Sequence, residues 1–227
     1  LGENYDVCGI DGIHPAPDGQ LVMAYAFLKT LGMKGDIGAI SVSMKDGKAS
    51  ASEGHTVIGM ENGKVEMESR RYPFCFFGEE NKSSGTRSIL PFVPFNEDLN
   101  RLTLKVTDLP WDNARITWGN TNKVFAKADL EKGINLASEF IDNPFVTAFT
   151  NVQVAVGAKQ VFETRMIKEL ITKFPGYVRI LGNDPETIAV LGAVSQKAAA
   201  QRAKLKDAVG TAVKPVKHTL VIEPATP

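Results

Sequence analysis

The hydrophobic pattern between Ile37 and Trp118 constrains the fold of this chain most, because its period differs from that of the flanking regions. Runs such as "AISVSM", "HTVIGM", "KVEMES", "RLTLKV" and "ARITWG" alternate or are rich in β-branched residues, as strands are. The turn sequences "KDGK", "ENGK" and "NKSSG" separate several of them. With "RYPFCFF" and "SILPFV", they predict an antiparallel, sandwich-like domain of about eight strands. Its clearest hairpin turns at Asn62-Gly63.

Helical patterns lie on both sides of this region. Before it, apolar residues recur at helical spacing up to Leu31, and Asp18 and Gly32 supply start and stop signals. After it, "KADLEKGINLASEF" predicts one helix, and a longer run follows from residue 146 to residue 174, where Pro175-Gly176 ends it.

A further long helix is predicted to begin after the Asn183/Asp184 cap, so that two long helices form an antiparallel hairpin. The tail "KHTLVIEP" predicts one more strand, which returns to the β domain. The chain is thus predicted to have an α+β fold. It is divided into a loop and helix (1–34), a β-sandwich-like domain (35–125), a helical region (126–212) and a tail strand (213–227).

Composition is that of an ordinary globular protein, with 43% hydrophobic and 23% charged residues in 227. No run of 18 apolar residues predicts a transmembrane helix. Residues 151–227 hold 11 basic and 6 acidic residues, without the dense patch and interleaved aromatics that nucleic-acid binding favours. A start at Leu1, without Met, leads us to expect a processed or truncated N-terminus.

Cysteine and histidine residues give no sign of a metal or cofactor. Cys8 and Cys75 lie in apolar surroundings and are predicted to be buried free thiols. His14, His55 and His218 are too far apart to show metal-ligand spacing. We expect His55 to be structural at a strand start and His218 to be exposed.

The segment "GIDGIHPAPDGQ" places Asp11 three residues before His14. A hydroxyl nucleophile needs a base to take its proton, and a carboxylate that orients a histidine makes it a better base. Gly12 lets the backbone turn tightly and Pro15 stiffens the exit from the loop. On spacing alone the alternative is a turn in which Asp11 caps a backbone N–H.

The segment "DGIHPAPDGQLVMAYAFLKTLG" resembles the last conserved block of the SGNH, or GDSL-like, hydrolases. The resemblance implies that residues 1–34 are the final loop and helix of an α/β hydrolase domain. It also implies that His14 is the general base, that Asp11 orients it, and that Gly19 lets the helix start pack closely. Further on, "ESRRYPFCFF", "LNRLTLKV", "WGNTNKVF", "KGINLASEFIDNPF" and "KQVFETR" resemble the region downstream of that block in a subset of bacterial members.

The chain departs from the family pattern in one large respect. No Gly-Asp-Ser motif is present, and "LGND" at 181–184 follows His14 in the wrong order and is better explained as a helix cap. The resemblance therefore implies the C-terminal part of a serine esterase. The nucleophile and oxyanion donors of that esterase would lie upstream, lie on another chain, or be absent.

Two functional hypotheses follow. In the first, the chain contributes the Asp-His arm of an esterase that removes O-acyl groups from a carbohydrate or cleaves a small ester. The family resemblance suggests a periplasmic or secreted setting and leaves a homo-oligomer open. In the second, the chain is a non-catalytic module that binds carbohydrate or assembles with a partner. Trp111 and Trp118 would then form a sugar-stacking platform, whereas the alternative places both indoles in the core.

Overall fold

The structure, a computed structural model, describes residues 5–225. The chain forms two compact units: Leu1–Val146 with Pro215–Pro227, here the β unit, and Thr147–Lys214, here the helical unit. The predicted α+β class is confirmed. This division groups residues 126–146 with the β unit, whereas the sequence pattern assigned them to the helical region.

The secondary structure of the described residues is as follows. The strands are β1 (Asp36–Ser43), β2 (Lys48–Ala51), β3 (His55–Glu61), β4 (Lys64–Ser69), β5 (Arg101–Thr107), β6 (Asn113–Trp118), β7 (Thr121–Ala126), β8 (Ile134–Asn135) and β9 (Val216–Pro224). The α-helices are α1 (Pro17–Thr30), α2 (Phe95–Leu99), α3 (Lys127–Lys132), α4 (Leu136–Glu139), α5 (Val146–Arg165), α6 (Phe174–Leu181) and α7 (Pro185–Ala212).

The strands form two sheets, ordered β2-β1-β5-β8 and β3-β4-β9-β6-β7. The second sheet is antiparallel throughout, but in the first sheet β1 and β5 run parallel. The predicted antiparallel pairing is therefore wrong for β1 and β5, although the other strand pairs are antiparallel. The chain between β1 and β5 carries three strands and a helix, long enough for the crossover that a parallel pair requires.

Two local predictions about the second sheet are confirmed. β3 and β4 pair as a hairpin, and its turn residues Asn62 and Gly63 have φ of 48° and 78°. Positive φ at both central positions is the type I′ geometry that Asn-Gly favours. The tail strand β9 does return to the β unit, where it pairs with β4 on one side and β6 on the other.

The core of the β unit is built from alternate residues of these strands. On β5 the side chains of Leu102, Leu104 and Val106 are fully buried, while their neighbours along the strand are more exposed. The same alternation buries Ala114, Ile116 and Trp118 on β6. Each strand thus presents one face to the core, as the period-2 pattern requires.

Residues 70–94 differ from the sequence prediction, because "RYPFCFF" and "SILPFV" form no strands. They make irregular structure and a 3₁₀ turn at Leu90–Phe92. Proline in both segments removes backbone donors that a strand ladder needs. Side chains bind the backbone instead: the amides of Phe74 and Phe77 donate to Asn100 Oδ1 and Thr86 Oγ1, at 2.7 and 3.0 Å.

The segment "KADLEKGINLASEF" also differs, since α3 and α4 replace the single predicted helix. Gly133 at φ 107° breaks the helix, and Ile134–Asn135 pairs with β5. The side chain of Asn135 docks this segment on β5 and the residue that precedes it. Its Oδ1 accepts from the amide of Leu102 at 3.1 Å, and its Nδ2 donates to the carbonyl of Asn100 at 3.1 Å.

The helical unit contains α5, α6 and α7, with a π turn at Met166–Leu170 and a 3₁₀ turn at Ile171–Lys173. Pro175 lies in the first turn of α6, a position that proline favours, so it does not end the helical run as predicted. The predicted cap on α7 is confirmed: Asp184 Oδ1 accepts from the amides of Glu186 and Thr187 at 2.9 and 3.0 Å. No helix within residues 5–225 is long and apolar enough to cross a bilayer.

Candidate functional site

The loop that precedes α1 is shaped by two glycines. Gly9 and Gly12 have φ of 76° and 68°, and the Gly12 amide donates to the Gly9 carbonyl at 2.9 Å. A Cβ atom on Gly9 would lie 2.0 Å from the backbone oxygen of His14, which no real contact permits. These glycines fold the loop back so that Asp11 and His14 meet.

Asp11 is the centre of the loop's hydrogen bonds. Its Oδ1 accepts from the amides of Ile13 and His14 at 3.0 and 2.9 Å, and its Oδ2 lies 2.6 Å from His14 Nδ1. The amide and then the imidazole of His14 lower the pKa of this carboxyl from 3.8 to about 2. Asp11 is thus a carboxylate over the whole range in which an esterase would work.

The bond to Asp11 determines which nitrogen of His14 is available. An ionised carboxylate only accepts, so Nδ1 carries a proton and Nε2 is the basic nitrogen of the neutral ring. The His14 side chain is 85% exposed, and Nε2 has no hydrogen-bond partner within residues 5–225. In this arrangement Nε2 can accept a proton from a group that comes within hydrogen-bond distance of it.

Helix α1 anchors this loop within the β unit. A Cβ atom on Gly19 would lie 2.1 Å from the Val7 carbonyl oxygen, in agreement with the close packing expected at this glycine. Further along, one face of α1 packs through Leu21, Tyr25 and Leu28 on a buried cluster of Phe76, Phe95 and Leu99. The hydroxyl of Tyr25 and the ammonium of Lys29 both donate to Asp98 Oδ2, at 2.6 and 2.7 Å.

The N-terminal segment also presents a second, uncovered apolar surface. Its helical part is the side of α1 that carries Met23 and Phe27, away from the packed face. We call this surface the outer face, formed by large apolar side chains exposed to solvent: Ile10, Ile13, Met23, Phe27 and Leu31. Phe27 and Leu31 are 64% and 76% exposed. So many large apolar side chains on one short segment are typical of a surface that another domain or chain covers.

Trp118 does not belong to a binding surface, and the prediction that it helps bind substrate is wrong. Its side chain is fully buried, and its indole packs edge-on against Phe140, with ring centroids 6.0 Å apart. The indole N–H donates to His218 Nδ1 at 3.1 Å. His218 is itself buried, contrary to the expected exposure, because β9 lies inside the sheet and not at its edge.

A chain of hydrogen bonds continues from His218 through the core. Ser69 Oγ lies 2.8 Å from His218 Nε2 and 2.8 Å from His55 Nδ1, and His55 Nε2 lies 3.0 Å from the Ile37 carbonyl. A serine beside two histidines resembles a nucleophile with its base, but Ser69 is fully buried and no substrate can reach it. The structural role expected for His55 is supported by this position.

The remaining site predictions concern Trp111 and the cysteines. Trp111 is half-buried and lines a cleft of about 910 Å³ at one end of the β unit, so an aromatic binding role remains open for it. Cys75 is buried, and burial raises the pKa of its thiol to about 11. Cys8 is exposed, which corrects the expectation that both thiols are buried. No cluster of three metal-ligating side chains occurs in the described part of the chain.

The acidic residues of this cleft were missed in the sequence, although a signal was present. Two hairpin turns share the pattern Met-x-Asx-Gly-Lys, in "MKDGK" at 44–48 and "MENGK" at 60–64. Both contribute to the cleft lining. The similarity of the two turn sequences would have indicated that both turns lie at the same edge of the domain.

Comparisons with known proteins give one structural relative. No protein-family model and no curated protein matches the chain. Among solved structures, a gut microbial diltiazem-metabolizing enzyme matches with a TM-score of 0.65 and 23% sequence identity. The match covers 96% of this chain and 57% of that enzyme's chain. At this identity the likeness shows a shared fold, and this chain spans little more than half the length of the enzyme.

Proposed function

We propose that this chain supplies the Asp-His arm of a serine ester hydrolase of the SGNH type. The observation that carries the proposal is the Asp11–His14 pair, joined at 2.6 Å with Nε2 of the histidine directed to solvent. The depressed pKa of Asp11 keeps its charge beside the imidazolium that forms during acyl transfer. The resemblance of the surrounding segment to the last SGNH block gives these two residues their roles.

The reaction would begin with a serine from outside these 227 residues. Its oxygen attacks the ester carbonyl while His14 Nε2 takes the hydroxyl proton, and His14 then gives that proton to the leaving alcohol. Water next attacks the acyl-serine, and its proton passes through His14 back to the serine as the carboxylic acid leaves. Asp11 remains ionised and holds the ring orientation throughout.

The exposed apolar side chains of the outer face support the proposal that a further domain covers the N-terminal segment. These side chains are on the same segment as Asp11 and His14, so whatever covers them lies beside the proposed general base. More than two fifths of the diltiazem-metabolizing enzyme has no counterpart in this chain, which leaves room for such a domain in proteins of this fold. We assign this position to the domain that carries the serine and the oxyanion donors.

The class of substrate follows from the family resemblance, which favours an O-acylated carbohydrate or a small ester. The structural relative is named as an enzyme that metabolizes diltiazem, which is compatible with enzymatic activity in this fold. A non-catalytic role would account for the two amides that Asp11 accepts, which shape the loop, but not for the resemblance of this segment to the last SGNH block. The esterase arm is therefore the function that we favour.

The test is ester hydrolysis by the protein that the complete gene encodes, with p-nitrophenyl acetate as the probe. We expect His14→Ala to lower kcat/KM at least about 10³-fold, because the serine loses its base. The circular dichroism spectrum should stay unchanged, since the side chain is 85% exposed. Gln20→Ala, at an exposed position on the helix that follows the loop, is the matched control and should retain full activity. Equal activity of the His14→Ala protein would rule out the proposal.

A further inference from the structure

We propose that the β unit carries a binding site for a neutral saccharide, centred on Trp111. The site is the loop-end cleft, which is lined by the β1–β2 turn, the β3–β4 turn, the segment that follows β5 and the end of β9. Neither Asp11 nor His14 lines it, so the proposal does not depend on the esterase function.

The size and the aromatic content of the loop-end cleft suit a small carbohydrate. Its volume is about 910 Å³, within the range of ligand pockets in proteins. The half-buried indole of Trp111 lies in the lining together with Met44 and Met60. A sugar ring has an apolar C–H face that an indole can cover, while its hydroxyl groups stay at the ring edge.

The polar lining is rich in acceptors, which match the hydroxyl hydrogens of a sugar. The carboxylates come from separate segments: Asp46, Glu61, Asp108 and Glu223. Lys45 is the one cationic side chain among the lining residues that the structure describes. Hydroxyl groups bind well to charged acceptors. A hydrogen bond to a carboxylate contributes more binding free energy than a hydrogen bond to a neutral oxygen does.

Two of these carboxylates are held close to each other. The Ser43 hydroxyl lies 3.0 Å from Asp46 Oδ2 and 3.2 Å from Asp108 Oδ2, so both oxygens approach the same point. The Asp46 amide donates to the same hydroxyl at 3.2 Å, which fixes the turn beside it. Ser43 therefore holds the carboxylates of Asp46 and Asp108, which come from two different loops, close together in the lining of the cleft.

The charge of the lining selects among saccharides. The described lining residues include four carboxylates and one ammonium, and the Arg115 guanidinium lies 3.9 Å from Glu223. A uronic acid or a sulfated sugar would meet like charge in this cleft. The lining therefore favours a neutral sugar over an anionic one.

The first experiment is a glycan array of neutral and uronic-acid oligosaccharides, probed with the labelled 227-residue chain. The best neutral glycan is then titrated while tryptophan fluorescence is recorded. The chain has two tryptophans and Trp118 is fully buried, so a ligand-induced change in emission reports Trp111. We expect saturable binding of a neutral glycan with a fluorescence change.

Variants then assign the binding to the cleft. Trp111→Ala should weaken binding at least about tenfold, whereas Trp111→Tyr keeps an aromatic face and should stay within about threefold. Phe92→Ala is the matched control, because Phe92 is 63% exposed and lies outside the lining. Asp108→Asn should weaken binding without unfolding the loop, since asparagine tolerates the φ of 57° at this position.

Three results would overturn the proposal. The first is no saturable binding of any neutral glycan at millimolar concentration. The second is binding that Trp111→Ala leaves unchanged. The third is a preference for uronic acids, or for an organic cation such as choline tested in the same titration, over every neutral glycan.

Discussion

Two parts of this molecule place a histidine beside a hydrogen-bonding partner, but they differ in solvent exposure and in how many ring nitrogens have a partner. Asp11 and His14 lie in an exposed loop, and one ring nitrogen is directed to solvent. His55, Ser69 and His218 lie in the core, where every ring nitrogen has a partner. The first arrangement is suited to proton transfer and the second to holding strands together.

The buried chain shows how its proton positions are determined. The Trp118 N–H can only donate and the Ile37 carbonyl can only accept, at the two ends of the chain. Between them, His218 must donate from Nε2 to Ser69, and Ser69 must donate to His55 Nδ1. Both imidazoles are therefore neutral in this arrangement, and an extra proton on His218 Nδ1 would face the Trp118 N–H, so that two donors would meet where one hydrogen bond stood. Accessibility, and not the presence of Ser and His together, separates a catalytic site from a structural one.

The largest effect is expected at the exposed pair. Asp11→Asn keeps the shape of the loop but removes the charge that stabilises the His14 imidazolium. In the complete protein we expect kcat/KM for p-nitrophenyl acetate to fall about 10³-fold, with circular dichroism unchanged. A loss below tenfold would show that Asp11 only shapes the turn.

The second effect concerns the pH dependence of folding. Burial, and then the nearby His55, lower the pKa of His218 from 6.5 to about 4. The neutral ring thus stabilises the fold fully above pH 6.5, and this contribution is lost as the pH falls towards 4. We expect urea unfolding to show a loss of up to about 3 kcal/mol over this range.

The control for this pH effect is His218→Gln. The side-chain amide of the introduced glutamine can accept from Trp118 and donate to Ser69 without titrating. The free energy of unfolding of this variant should change less between pH 6.5 and pH 4 than that of the original protein. Parallel loss in both proteins would assign the acid sensitivity to other groups.

The third effect tests whether Ser69 has a structural role or acts as a nucleophile. Ser69→Ala leaves His55 Nδ1 and His218 Nε2 without their shared partner in the core, which should cost about 2 kcal/mol in urea unfolding. Ser41→Ala, at an exposed position, should change stability by less than about 0.5 kcal/mol. Ester hydrolysis should survive Ser69→Ala, and its abolition in a folded variant would mean that Ser69 is not merely structural.

The smallest effect is the stability change on His14→Ala. Because this side chain is largely exposed and bonded only within its own loop, we expect the free energy of unfolding to change by less than about 0.5 kcal/mol. Urea unfolding of the two proteins at pH 7 checks this. A cost of several kcal/mol would show that His14 is a structural residue like His218.

Local features of the fold could be predicted from the sequence, because they depend on near neighbours. The Asn62-Gly63 hairpin and the Asp184 cap each follow from a few adjacent residues. Helix α1 is present as predicted, but Asp18 does not cap it, because the helix begins at Pro17 and its N-cap is Ala16 without a side-chain hydrogen bond. The strands predicted in 70–94 were wrong because the side chains of an apolar, proline-containing run can pack in the core while its backbone pairs with no strand. The single helix over 127–140 was wrong because Gly133 and the pairing of residues 134–135 with β5 outweigh helical periodicity.

The candidate site was predictable in part for the same reason. Asp11 and His14 are three residues apart, so their contact is a local property of the loop. The burial of Trp118 depends instead on His218, which follows 100 residues later and reaches it only through the β6–β9 pairing. The loop-end cleft likewise joins four distant segments, and no single window of sequence contains it.

The most direct test of the central claim is intact mass of the complete protein after reaction with a fluorophosphonate probe, followed by peptide mapping. Our account predicts one labelled serine outside the 227 residues described by this sequence, and it predicts that His14→Ala prevents the labelling. Labelling of a serine within these residues, or labelling that proceeds equally in the His14→Ala protein, would contradict it.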